Sequence, residues 1–274
     1  MWAVWGFLLT AAIGLLVVLI AGRRVPSPHG SYPWLLYDTA KMHVGIMGSL
    51  ASFAFFGITL VVTLARDRSG VAESPLDTVV VMLLVAFLFA IGSVFLISYI
   101  PHVDTSGDLV PRVHFSLAST IEYRTVFLSW FALLPLLQAN GLGRLSYVLY
   151  FCLPASLLLG SVIVAVAADG VGLLRVRETY LSAAVSLGLV MAYAAIVAFA
   201  VPGARSPHSP QYIALVIFCV NILGFGFAAL TSLSLRYTGI KRFFEQQGRR
   251  IVIADMQLTM LSLVFLWLAV VGAV

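Results

Sequence analysis

Glu122 and Asp255 are the residues whose placement asks for chemistry. Each is a carboxylate one to two turns inside a long apolar stretch. An ionisable group at the centre of a membrane helix costs on the order of 2.5–3.5 kcal/mol on insertion scales. Helical spacing puts Glu122, Thr125 and Ser129 on one stripe, and Asp255, Thr259 and Ser262 on another. An acid with hydroxyls along one helix face is what a cation or proton path requires: the carboxylate offsets cation dehydration and the hydroxyls supply oxygen ligands. Arg124 follows Glu122 by two positions, which turns it about 200° away around a helix. At least one of the two therefore needs a partner elsewhere in the bundle. Asn221, polar and at mid-depth, reads as helix–helix glue worth about 1 kcal/mol or less, or as a residue lining the same path. The structural alternatives are an ion pair of Glu122 with Arg124 or Arg112, and Asp255 as the acidic first-turn residue that favours a helix N-terminus.

The histidines offer a second chemistry. His43 and His114 stand at the starts of apolar segments, and two facing imidazoles suffice for a haem or contribute to a metal site. No HxxxH or HExxH spacing occurs, and interface histidines are commonly solvated. His114 lies two turns before Glu122 on roughly the same face, which makes it the candidate proton-transfer partner. No cofactor is specified by these residues. Cys152 and Cys219 each lie in an apolar run and read as small buried hydrophobes. The sequence carries no CxxC, GxSxG, GxGxxG or P-loop pattern, which argues against an enzyme.

The elements that must position these groups follow from composition. Apolar residues make up 61% of the 274 and charged ones 10%, against about 45–50% and about 25% in soluble domains. Mean hydropathy is +1.05. The bilayer must be the solvent for most of this surface. That excludes a cytosolic enzyme, a secreted scaffold and a nucleic-acid-binding domain. The expected fold is an all-α integral membrane bundle in a single polytopic unit, 1–274. Eight segments are long enough to cross roughly 30 Å of hydrocarbon: 2–22, 43–65, 78–100, 115–138, 145–168, 179–201, 211–235 and 251–274. The first has no Lys or Arg before it and ends at Arg23-Arg24, so it reads as a retained helix rather than a signal peptide.

Positive charge sets the orientation. Arg23, Arg24, Lys41, Arg112, Arg175, Arg177, Arg236, Lys241, Arg242, Arg249 and Arg250 fall on one side, and Arg66, Arg68, Arg144 and Arg205 on the other. The rich side is cytoplasmic, which predicts a multi-pass protein with both termini on the non-cytoplasmic side. His29, His43, His102 and His114 then lie towards the cytoplasm and His208 outside. The basic segment from Arg236 to Arg250 reads as a topology-setting loop, or as an amphipathic stretch on anionic headgroups. Gly45, Gly48, Ser49 and Ser52, and separately Gly224 and Gly226, form small-residue faces suited to close helix packing.

An internal repeat is expected from two alignments. At an offset of 133, Glu122-Tyr123-Arg124 matches Asp255-Met256-Gln257, and Phe127-Leu128-Ser129 matches Met260-Leu261-Ser262; at 132, Gly92 falls on Gly224. Units 1–138 and 144–274 would form a four-plus-four pseudo-symmetric tandem about an axis along the membrane normal.

Gly48-Ser49-Leu50-Ala51-Ser52-Phe53-Ala54-Phe55-Phe56-Gly57, with Leu84-Val85-Ala86-Phe87 and Ser98-Tyr99-Ile100-Pro101-His102-Val103-Asp104, is loosely similar to the first two helices of store-operated calcium channel pore subunits. The second segment departs from that family in having no acidic residue where its pore acid would stand. The residues themselves carry the functional expectation, a small channel or transporter moving a cation or proton along Glu122, Asp255, Arg124, Thr125, Ser129, Thr259, Ser262 and Asn221. A non-catalytic subunit or scaffold, with the lipid bilayer and other membrane chains or further copies of itself as partners, is the first alternative. A haem- or metal-binding oxidoreductase subunit using His43 and His114 is the second.

Overall fold

The computed structural model describes residues 36–67, 75–99, 109–139, 210–234 and 237–272, with single positions at 142, 181, 185 and 188. The described residues are 97% helical, with no strand among them. In chain order the helices are α1 (Leu36–Asp67), α2 (Pro75–Tyr99), α3 (Leu109–Phe131), α4 (Leu133–Ala139), α5 (Pro210–Leu233) and α6 (Thr238–Gly272). The expected second, third, fourth, seventh and eighth segments correspond to α1, α2, α3 with α4, α5 and α6. The first and fifth segments, and all but three positions of the sixth, lie outside the described residues.

Prolines begin several of these helices. Pro75 and Pro210 open α2 and α5, and Pro111 sits in the first turn of α3, where the missing N–H has no helical acceptor to lose. Pro135 acts in the opposite sense. It cannot donate to the carbonyl of Phe131, and the helix breaks at Ala132 between α3 and α4.

Four helices are long and apolar enough to cross a membrane, with candidate spans Ala40–Thr63, Leu76–Ser98, Ala214–Leu233 and Thr238–Trp267. These are the marks of an integral membrane protein. Besides the short α4, the helix that fails the test is α3, and its position explains why. It carries Arg112, Glu122, Arg124 and a series of hydroxyls, yet 17 of its 23 residues are buried. Helices α1, α2, α5 and α6 all pack on it. A polar helix at membrane depth must be screened from lipid by its neighbours, so α3 forms the axis and the apolar helices form the sheath. The outermost is α1, whose apolar window is only 22% buried.

Contact pairs fix the helix directions. Val113 meets Gly248, and Arg124 meets Asp255 and Thr259, so α6 runs parallel to α3. Asn221 meets Arg124 while Ala228 and Thr231 meet His114, so α5 runs antiparallel. Phe89 and Gly92 of α2 abut Phe218 and Phe225, which sets α2 parallel to α5. Gly57 against Leu83 and Phe55 against Phe87 set α1 antiparallel to α2.

Two expectations are corrected. The basic stretch is no loop: Thr238 to Arg250 is the first part of one continuous 35-residue helix, joined to α5 by the short connection between Leu233 and Thr238. Asp255 therefore lies more than four turns beyond the start of α6, at about 3.6 residues per turn, and is not a first-turn acid. Cys219 is not buried either; it is a free thiol on the outer face of α5. Cys152 lies outside the described residues. The tandem repeat is not shown by the described helices, and its two aligned glycines do different work: Gly92 clears Phe225, whereas Gly224 clears Arg124 and Ile121.

Candidate functional site: a charged layer between two apolar cores

Two large apolar clusters fill the centre of the bundle among the described residues, with a smaller one of Met47, Ala51 and Ala90 between α1 and α2. One gathers Val110, Val113, Phe115, Leu117, Ala228, Phe244, Val252 and Met256. The other gathers Ile121, Phe127, Leu128, Phe131, Ala214, Ile217, Met260, Leu263 and Trp267. Between them, at one level along α3, α5 and α6, lies a polar layer.

Arg124 is its centre. The side chain is fully buried, and its guanidinium donates from Nε to Asn221 Oδ1 at 2.5 Å and from Nη1 to Asp255 Oδ1 at 2.9 Å and Thr259 Oγ1 at 2.8 Å. The hydroxyl of Thr259 in turn donates to the Asp255 carbonyl at 2.6 Å, so its oxygen is free to accept from the arginine. The second carboxylate oxygen of Asp255 accepts from Thr120. A carboxylate with both oxygens bonded, one to a guanidinium, is the strong form of such a pair. Gly224 makes the geometry possible: a Cβ there would stand 3.0 Å from Arg124 Nη2 and 3.3 Å from Ile121 Cγ1.

Glu122 points to the other side of α3, as the 200° argument requires. Its carboxylate bonds to His43 Nδ1 on α1, and the edge of Phe115 packs on the imidazole with ring centroids 5.3 Å apart. The pair is less enclosed than Arg124, with side chains 19% exposed for His43 and 9% for Glu122. His43 sits inside α1, two turns from its start at Leu36, rather than at a helix end.

Charge accounting defines what this layer can do. Arg124 and Asp255 cancel. The hydrogen-bonded pair of His43 and Glu122 sums to zero when it carries one proton more than neutral imidazole with carboxylate. Loss of that proton leaves one negative charge in a setting where uncompensated charge is costly. A cation entering as the proton leaves would restore neutrality.

The remaining expected residues are placed as follows. Asn221 is fully buried and is Arg124's partner. Thr125 and Ser129 are buried on α3 and donate to the carbonyls of Ile121 and Thr125; Ser262 donates to Thr259 O. Their hydrogens are thus spent on their own helices, and their oxygens retain acceptor capacity. His114 is not brought to Glu122. Its Nδ1 lies 3.0 Å from Ala228 O and 2.5 Å from Thr231 Oγ1, and its Nε2 lies 2.8 Å from Leu96 O, so it ties α2, α3 and α5 together. With His43 on Glu122 and His114 on these oxygens, the two imidazoles do not form a facing pair. Among the described residues no cluster of three or more His, Cys, Asp or Glu could hold a metal. His29, His102, His208, Asp104 and Asp108 lie outside them.

Sequence reasoning missed Thr120 and Thr231. Thr120 precedes Arg124 by four positions and so shares its face, a signal that was present but unremarkable among so many helical hydroxyls. Thr231 had none.

Comparison with protein-family models, with curated proteins and with solved structures finds no match to this chain.

Proposed function

We propose that this chain is a multi-pass membrane protein that moves a proton or small cation through the bundle, with the His43–Glu122 pair as its exchange site. The observation that carries the reading is that pair itself: two titratable groups from different helices, hydrogen-bonded to each other beside the ion-paired Arg124 and Asp255. Buried ion pairs are seldom retained for stability, because apolar residues of similar size usually do as well or better. Ionisable groups at membrane depth most often mark ion pathways and proton relays. In this reading Arg124, held by Asn221 and Thr259, fixes the position of Asp255. Thr125, Ser129 and Ser262 offer their oxygens to the moving ion, and both termini face away from the cytoplasm.

The test is flux into liposomes holding the purified protein, wild type beside Glu122→Gln and His43→Gln. Selective proton or cation flux in the wild type, lost in both variants while they stay folded, supports the reading. Well-folded wild-type protein that passes no cation and no proton overturns it.

A second reading is favoured by α1. Gly45, Gly48, Ser49 and Ser52 lie exposed, and a Cβ at either glycine would meet nothing within 4 Å. Such an open small-residue face suits a further membrane helix, from another subunit or a second copy.

A further inference from the structure

The amino-terminal part of α6 has a role that transport does not absorb. At 1.5 Å per residue a helix of 35 residues is roughly 50 Å long, whereas hydrocarbon takes only about 30 Å. The segment from Ile251 to Gly272 is long enough to fill that thickness by itself, which leaves the charge-rich Thr238–Arg250, the first part of the candidate span, to extend beyond it. This part is not loose. Phe244 and Gly248 are buried, and Gly248 is seated so closely on α3 that a Cβ would lie 2.6 Å from Val113 Cγ2.

Its other side is charged. Arg242, Arg249 and Arg250 are all exposed and fall within an arc of roughly 100°. Phe243 borders the arc at 46% exposure, and Tyr237, just before the helix, is 58% exposed. The acid of this stretch, Glu245, lies on the flank and pairs with Lys241 at 4.0 Å, one acid beside three arginines and a lysine. Arg242 and Arg250 are eight positions apart, about 12 Å along the axis, with Arg249 and Arg250 nearest the hydrocarbon boundary and Arg242 further out.

We propose that this face seats the phosphates of anionic phospholipids at the rim of the bundle. Arginine forks take phosphate oxygens two at a time, and aromatic rings beside them favour the membrane–water boundary. The rigid seat of Phe244 and Gly248 presents the three guanidiniums already arrayed. The proposal rests on the membrane-spanning reading but not on transport.

The experiment uses the full chain in bilayers of phosphatidylcholine doped with spin-labelled phosphatidylglycerol or spin-labelled phosphatidylcholine, and compares their association with the protein. Each arginine near an anionic surface is worth about fivefold in affinity. Wild type should prefer the anionic lipid severalfold, with the preference reduced by salt. The triple variant Arg242→Gln/Arg249→Gln/Arg250→Gln, which changes only exposed side chains, should lose most of it. Equal association of the two lipids with wild type, or an unchanged preference in the triple variant, overturns the proposal. So does displacement of the lipid by millimolar inorganic phosphate, which would mark a site for a soluble anion. Failure of the folded protein to enter bilayers at all would overturn the membrane reading with it, and is distinguishable from a bilayer-inserted protein without lipid preference.

Discussion

At the residue scale the charged layer behaves as a set of dependencies centred on Arg124. Removing one partner of a buried ion pair is more damaging than removing both, because the survivor keeps its desolvation cost without its compensation. Asp255→Asn and Arg124→Met should each destabilise by about 3–5 kcal/mol, read by denaturant or thermal unfolding in detergent. The double variant Arg124→Met/Asp255→Leu should recover much of the loss; additive losses would show that the pair is not coupled. Gly224→Ala tests the clearance around the guanidinium. Its Cβ would crowd Arg124 Nη2 and Ile121, for an expected loss of about 1–3 kcal/mol. Gly226→Ala, with nothing within 4 Å, should be neutral or slightly stabilising through helix propensity. Part of this layer was legible in the sequence. The angular separation of Glu122 from Arg124 already demanded a partner elsewhere, and the residues expected on the path include Asn221, Asp255 and Thr259, which do meet Arg124. That Glu122 chooses His43, and not Arg112 or His114, depends on the rotation and register of α1 against α3, which no local pattern encodes.

Hydropathy governs what can be read at the element scale, and it fails where a helix leaves the membrane or hides inside the protein. The α6 boundary was expected near residue 251 because charge density rises before it, yet charge does not end a helix. Backbone hydrogen bonding continues to Thr238 as long as one face has something to pack on, and Phe244, Gly248 and Val252 supply that face. Conversely, α3 is too polar to read as a membrane span by hydropathy, because of Glu122, Arg124 and its hydroxyls, and it is the most enclosed of the long helices. The continuity of α6 can be checked by single cysteines and a membrane-impermeant thiol reagent. Phe243→Cys, Gln246→Cys and Arg249→Cys should react readily, and Phe244→Cys should be protected. Uniform labelling of all four would describe a solvated loop and would remove the rigid seat on which the lipid-binding face depends.

Under the transport proposed above, the decisive quantity for the whole molecule is net charge across the layer. With the proton of the His43–Glu122 pair present the layer of His43, Glu122, Arg124 and Asp255 sums to zero, and without it to one negative charge. Asp255→Asn adds one positive charge to both states, giving plus one and zero. The bundle then never presents the negative site that a cation would enter, so cation flux should fall to background. Arg124→Gln paired with Asp255→Asn returns the two states to zero and minus one, with an amide pair able to hydrogen-bond where the ion pair stood. If the layer works through its charge, the double variant should regain a substantial part of the wild-type flux although it carries more changes than the inactive single one. If Asp255 is itself a ligand for the moving ion, the double variant should stay as inactive as Asp255→Asn. Unfolding measured on the same preparations separates either outcome from collapse of the bundle, because the double variant relieves the unpaired arginine and should be the more stable of the two. The comparison thus assigns Asp255 either to the balancing charge or to the path.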